Sequence, residues 1–270
     1  MTAHWSASAG GRNYWVEHAA ALAAVFLRSD GSLVVELLVR ALRRHLTEVN
    51  GRAGAPIEVL DVGGGDARLA VALARDGHRV KVLDLDAAML DAAGNLLARE
   101  RVEVRERVHL IHGRGEDALG LVGADHDLVC CHSVLLYLSD PLPLLRALVT
   151  AGRPGGLLSV MSVNADAIAM RDGLQGRWRD AVASLRAGAE AGAAYLPSAE
   201  PRLRDVAAAL AALGAPMQAW YGIGIFTDHL TQALAADDPA EVVEAEWLAG
   251  ERDPYRSVAR CWHLLARRGG

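Results

Sequence analysis

Val59-Leu60-Asp61-Val62-Gly63-Gly64-Gly65-Asp66 packs a short apolar run, two acids and three consecutive glycines into one stretch, and the fold is read from what flanks it. Residues 57–62 form an apolar run of strand length, and residues 66–75 take up helical period. The glycines therefore occupy a turn that leaves a strand and opens a helix. Without a Cβ, Gly63 and Gly65 can take φ values closed to other residues and let the backbone approach a ligand closely. In doubly wound sheets such ligands sit outside the carboxyl ends of the strands, where the strand order reverses.

Working outward, the same alternation repeats. A second apolar run at 79–83 ends at Asp84, 19 residues after Gly65, and residues 87–99 are helical. Further runs lie at 108–112 and 127–131. Residues 140–151 read as a helix with Pro141 in its first turn. A fifth run at 157–163 is introduced by Arg153-Pro154-Gly155-Gly156, which reads as a turn. Short apolar runs alternating with helices predict βαβ units and a parallel sheet buried on both faces. Strand candidates at 217–226 and 260–266 bring the total to seven, with helices expected over 202–213 and 228–249. The expected class is α/β: a Rossmann-like, doubly wound, mostly parallel seven-stranded sheet. Before it, residues 14–49 read as helical, broken near Ser29-Asp30-Gly31-Ser32, followed by a loop over 50–56. Residues 1–52 are expected to form an N-terminal helical cap and 53–270 the main domain. An Ala-, Gly- and Arg-rich helical insert follows strand five at about 165–205.

Composition narrows the function classes. The chain has 270 residues, is 52% hydrophobic, and carries a formal net charge of −5 with a pI near 6.1. Such a balance gives no reason to expect non-specific nucleic-acid binding. Lys81 is the only lysine, so arginine content reflects a general bias and is not by itself a phosphate signal. Three cysteines, Cys130, Cys131 and Cys261, offer neither a disulfide framework nor a C-x-x-C pair, and no metal is expected. All three read as buried, inert thiols. Neither a signal peptide nor a transmembrane run is visible, so a soluble, cytoplasmic protein is expected.

Two cofactors suit a strand–glycine–helix turn with an acid on the next strand. A nicotinamide dinucleotide requires G-x-G-x-x-G beneath its pyrophosphate, and here the third glycine position is Arg68. Asp61 and Asp66 would also repel a pyrophosphate. S-adenosylmethionine (SAM) carries no phosphate but has a sulfonium and an ammonium, both favoured by an acidic loop, and Asp84 can accept its ribose hydroxyls. A glycine turn alone fits an ordinary tight connection equally well; Asp61 and Asp84 in register favour SAM.

Four further segments bring a resemblance. Leu85-Asp86-Ala87-Ala88-Met89-Leu90, His112-Gly113-Arg114-Gly115-Glu116-Asp117, Asp127-Leu128-Val129-Cys130-Cys131-His132 and Arg153-Pro154-Gly155-Gly156-Leu157 follow in the order found in class I SAM-dependent methyltransferases, which the chain resembles over about 57–163. It is most similar to the bacterial tRNA 5-carboxymethoxyuridine methyltransferase group. The points of similarity are Gly63-Gly64-Gly65, His132-Ser133-Val134-Leu135, Asn164, Phe226-Thr227-Asp228-His229-Leu230, Glu246, Asp253-Pro254-Tyr255, Arg260 and His263. The resemblance implies SAM as cofactor and S-adenosylhomocysteine (SAH) as product. It implies cofactor contacts at Gly63, Gly64, Asp84 and His132, and we add Asp61, Gly65, Leu85, Met89, Gly115 and Glu116 to the expected set. Where the group has an arginine in its N-terminal helix, this chain has Val34, with Arg28 or Arg40 as substitutes.

The acceptor implied by the resemblance is the carboxylate of a modified tRNA wobble uridine; a small-molecule metabolite is the alternative, and a non-catalytic SAM-binding module the reading from another class. A carboxylate is ionised at neutral pH, needs no base, and is oriented best by arginine. Arg171, Arg177 and Arg260 are the acceptor-positioning candidates, with His229 as a base for a hydroxyl or amine acceptor. Tyr137 and Trp178 are candidates to stack on a flat acceptor, and Tyr14 and Trp15 to cover the cofactor. Residues 165–205 hold six arginines against six acids, and Leu185-Arg186-Ala187-Gly188-Ala189-Glu190 is not basic, unlike the group's lysine-rich run. A tRNA-gripping face is expected to be basic.

Overall fold

A computed structural model of the chain describes residues 32–46, 55–187, 202–230 and 239–270. The expectations for Tyr14, Trp15, Arg28, most of the N-terminal cap and residues 188–201 of the insert lie outside the described residues.

The sheet has seven strands in the order β3-β2-β1-β4-β5-β7-β6. β1 (Glu58–Val62), β2 (Arg79–Asp84), β3 (Val108–His112), β4 (His126–His132) and β5 (Gly152–Val163) pair in parallel. β7 (Cys261–Arg267) slots between β5 and β6 (Met217–Ile223) and runs against both, so the sheet is mixed. The chain goes outward from β1 to β2 to β3, then returns to place β4 on the other side of β1. The reversal of strand order therefore falls between β1 and β4, where such sheets bind ligands.

Alternation along the buried strands sends successive side chains to opposite faces. Val59, Val82, Leu128, Cys130, Met161 and Leu265 face one layer, made by α1 (Ser32–Leu46), α2 (Arg68–Arg75), α3 (Ala87–Leu97) and α10 (Pro239–Gly250). Leu60, Val62, Leu83, Val129, Val160 and Trp262 face the other, covered by α5 (Ala118–Val122), α6 (Leu142–Ala151) and α9 (Leu203–Ala212). Each fully buried leucine of these layers contributes roughly 1.5–3 kcal/mol. The same parity assigns the polar residues. Asp61 pairs across to Val82 and Cys130, and Asp84 and His132 each lie two residues beyond those partners. Asp61, Asp84 and His132 therefore share the first face at the carboxyl edge of the sheet.

Three local readings are corrected. Residues 153–156 are not a free turn: β5 begins at Gly152, and Gly155 and Gly156 exchange backbone hydrogen bonds with Arg268 at 2.9 Å. The strand at 217–226 stops at Ile223, and residues 228–230 are not helical; among the described residues the helix there begins at Pro239. The cause is Glu246 on α10, described below, which claims the backbone N–H groups of this loop. Two short helices, α4 (Val102–Arg105) and α5, were too brief for their period to register in sequence. The described part of the insert is helical as expected, in α7 (Ala169–Leu174) and α8 (Trp178–Ala187).

Candidate functional site

The turn after β1 has the conformation that its glycines allow. Gly63 lies at φ +69° and Gly65 at φ +55°, in the left-handed region. A Cβ on Gly63 would stand 2.2 Å from Val134 Cγ2, and one on Gly64 would stand 2.7 Å from Asp61 Oδ2. The turn is thus pressed onto its neighbours. Asp84 faces it from the end of β2. Its Oδ2 accepts the Gly65 N–H at 2.8 Å, and its Oδ1 accepts the Asp86 N–H at 2.8 Å. Each carboxylate oxygen has two lone-pair directions; the Leu85 N–H also bonds the carboxylate, and the remaining capacity is open to a ligand. Met89 on α3 reaches the same turn, its Cε 3.1 Å from the Cβ position of Gly65. Leu85 is partly exposed beside it.

Gly115 and Glu116 form the start of a 3-10 turn after β3. A Cβ on Gly115 would meet Val62 and Leu144 at 2.6 and 2.7 Å, so this loop packs down onto the end of β1. Glu116 is held by Arg114 at 3.1 Å. Beneath the turn, Asp61 is buried, and burial together with the nearby Asp84 carboxylate pushes its acid up to about 7. Burial also raises Asp84, opposed by the backbone N–H groups it accepts. Two desolvated carboxylates on one face favour a cationic guest. His132 ends β4; burial holds it neutral, with its pKa lowered to about 3. Its Nε2 lies 2.8 Å from Ser159 Oγ, which lies 2.8 Å from His263 Nε2. Every residue of the expected cofactor set thus sits at one edge of the sheet, around the strand-order reversal.

The acceptor candidates divide. β6 runs in the same direction as β5, so the loop after β6 and the residue before β7 come to this same edge. There Arg171, Asp228, His229 and Arg260 line a cleft with Met170 and Ile225. Both guanidiniums converge on one carboxylate: Asp228 lies 3.7 Å from Arg171 and 3.9 Å from Arg260. Arg177 is elsewhere, engaged by Asp172, Gln175 and Asp180. Arg40 is committed to Glu244 at 2.6 Å and to the face of Trp247 at 4.7 Å, and Val34 packs against the core. Trp178 is largely exposed, while Tyr137 packs against the core and burial raises its hydroxyl pKa. Cys130, Cys131 and Cys261 are buried and in no disulfide, and burial raises the first two thiols.

Sequence reading did not single out Asp228, Ser159 or the task of Glu246. Glu246 is fully buried on α10 and accepts the N–H groups of Ile225, Phe226 and Thr227 at 2.8, 3.0 and 2.9 Å, and the Thr227 hydroxyl at 2.7 Å. It fixes the loop that carries Asp228 and His229. The helix carries Glu241, Glu244 and Glu246, and no spacing in sequence marks the third as the buried one. Among the described residues no cluster could hold a metal, and no helix is long and apolar enough to cross a membrane.

Known proteins resemble this chain in sequence and in fold. Residues 60–160 match the family model described as a methyltransferase domain. The tRNA 5-carboxymethoxyuridine methyltransferase of Escherichia coli (strain K12) is 28% identical over 254 residues, covering 90% of this chain and 91% of that protein. The ubiquinone biosynthesis O-methyltransferase of Xanthomonas campestris pv. campestris (strain B100) is 32% identical over 121 residues, covering 44% of this chain and 49% of that protein. Among solved structures, the plantazolicin methyltransferase BamL, in complex with a triazolic desmethylPZN analog and SAH, superposes with a TM-score of 0.63 at 12% identity, covering 96% of this chain and 94% of that one. Magnesium protoporphyrin IX methyltransferase from Synechocystis PCC 6803 with bound SAH gives 0.56 at 14% identity, covering 88% and 84%.

Proposed function

We propose that this chain, a SAM-dependent methyltransferase, methylates a carboxylate oxygen, with Arg171 and Arg260 orienting the acceptor. Its enzyme class and methyl donor follow from the methyltransferase domain at 60–160 and the relative matched along nine-tenths of the chain. The observation that carries the acceptor reading is the convergence of two arginines on the Asp228 carboxylate in a cleft at the sheet's carboxyl edge. A site that already holds one carboxylate between two guanidiniums has the chemistry to hold another.

The cofactor residues follow from the turn. The backbone of Gly63, Gly64 and Gly65 gives close approach, and the unused lone pairs of Asp84 match the two hydroxyls of a ribose. Leu85, Met89, Gly115 and Glu116 border the adenine side, and His132 the amino-acid side. The buried acids Asp61 and Asp84 are raised by desolvation, and a sulfonium with an ammonium would relieve that. Bound SAM supplies an electrophilic methyl group. The acceptor's oxygen lone pair forms the new O–C bond while the S–C bond breaks and leaves its electron pair on sulfur. No proton moves, so no general base is required. The protein's task is alignment and exclusion of water, which can supply about 7–11 kcal/mol of the barrier. As the ester forms, the acceptor's negative charge is lost, which weakens its hold on the arginines and favours release.

The E. coli relative is named for 5-carboxymethoxyuridine in tRNA, an acceptor bearing such a carboxylate. The same substrate is proposed first. A small carboxylic acid is the second reading, supported by the ion pairing of insert arginines with acids, Arg177 with Asp180 and Arg202 with Asp166. Mass spectrometry of tRNA nucleosides from a deletion strain separates the two. Loss of the 5-carboxymethoxyuridine methyl ester is expected; an unchanged ester level discards the tRNA acceptor.

A further inference from the structure

His132 does not stand alone at the end of β4. His132 Nε2 and His263 Nε2 each lie 2.8 Å from the Ser159 hydroxyl oxygen, and their rings meet edge to face at 5.6 Å. Ser159 and His263 are fully buried, and the two strands that carry them are paired through β5 and β7. A hydroxyl has one proton to donate and two lone pairs. If it donates to one histidine, the other must donate its own N–H to the oxygen. With the hydroxyl proton in one of these two bonds, the rings are held in opposite tautomers, and burial keeps both neutral.

Two arrangements satisfy this rule. In one, His132 donates from Nε2 and Ser159 donates to His263, which then carries its proton on Nδ1. That nitrogen is buried and without a hydrogen-bond partner, so the arrangement buries an orphaned N–H. In the other, Ser159 donates to His132 and accepts from His263 Nε2. The buried Nδ1 of His263 is then a bare lone pair, a less costly orphan than an N–H. The second arrangement wins, and it puts the His132 proton on Nδ1, on the side of the ring away from Ser159. Tyr221 continues the stack beyond His263 at 6.1 Å and is bonded to His45 at 2.8 Å, which fixes the far end.

We propose that Ser159 and His263 are positioning residues that lock His132 in the Nδ1–H tautomer, so that it offers an N–H donor to the carboxylate of the cofactor's amino-acid end. The inference rests on the reading that SAM binds at this edge. It is tested on the full chain labelled with 15N-histidine, using two-bond 15N–1H correlations assigned with a His132→Asn variant. The expected result is Nδ1–H for His132 and Nε2–H for His263. Ser159→Ala, which removes only the hydroxyl, is expected to release His132 into a mixture of tautomers. It should also weaken SAH binding about fivefold or more, with unchanged circular dichroism. Ser159→Thr restores the hydroxyl and both readouts. A wild-type His132 protonated on Nε2, or a Ser159→Ala variant with wild-type tautomer and SAH affinity, overturns the proposal. If His132→Asn leaves SAH affinity intact while the tautomers are as stated, the cofactor reading fails instead of the lock.

Discussion

Replacing Asp84 by Asn probes the proposed cofactor pocket with almost no change in volume. The wild-type carboxylate accepts two backbone N–H groups, from Gly65 and Asp86, one on each oxygen at 2.8 Å. An asparagine has one oxygen and one NH2, so one of those N–H groups meets a donor and the negative charge is gone. Of the acceptor capacity left for the ribose, only that on the remaining oxygen survives. A hydrogen bond to a charged group contributes about 1.5–3 kcal/mol, so losing one ribose contact and weakening the other costs about 2–3 kcal/mol of binding. At 1.4 kcal/mol per tenfold, that is roughly a 30- to 140-fold rise in the SAH dissociation constant. Isothermal titration calorimetry of both proteins with SAH measures it. The reasoning is refuted if Asp84→Asn binds SAH within threefold of wild type while retaining its thermal midpoint.

Gly63→Ala forces a Cβ to within 2.2 Å of Val134 Cγ2 at φ +69°, and is expected to destabilise by about 2–4 kcal/mol; a wild-type thermal midpoint contradicts it. Asp61 titrates near 7 when folded against an unfolded value of 3.8. A raised acid contributes stability below its unfolded value and loses it as pH rises through the folded one. Asp61→Asn should therefore gain on wild type between about pH 4 and pH 7, read as denaturation midpoints at pH 5 and pH 8; parallel pH profiles would count against it. Arg260→Met is expected to lower kcat/KM for tRNA from the deletion strain roughly tenfold to a hundredfold while leaving SAH affinity within twofold, and an equal loss in both would remove it from the acceptor site. Glu246→Gln replaces a buried carboxylate that accepts four donors, and should cost about 3 kcal/mol and speed hydrogen exchange at Ile225, Phe226 and Thr227; unchanged exchange contradicts the pinning.

The sheet was legible because each of its first five strands is an apolar run bracketed by polar or glycine residues, a local pattern set by burial on both faces. Asp84 was visible because it interrupts that pattern at the edge where ligands bind. The reversed direction of β7 was not readable, since strand direction depends on where the chain returns and leaves no mark in a seven-residue stretch. The Ser159 link between His132 and His263 was equally hidden. It joins residues 27 and 104 positions apart through strand pairing, and a serine in an apolar strand carries no periodic signal. Arginine candidates could be named in the insert but not sorted, because Arg171 and Arg177 differ in sequence only by position. The fold separates them by sending one toward Asp228 and the other toward Asp172 and Asp180.

A crystal structure of the chain grown with SAH bears most directly on the pocket from which the enzyme reading proceeds. Both ribose hydroxyls are expected within hydrogen-bond distance of the Asp84 carboxylate, with the sulfur over the carboxyl ends of β1 and β4 and pointing toward the cleft of Arg171 and Arg260. A nucleoside bound away from Asp84, or a glycine turn closed over by side chains with SAH excluded, would contradict it.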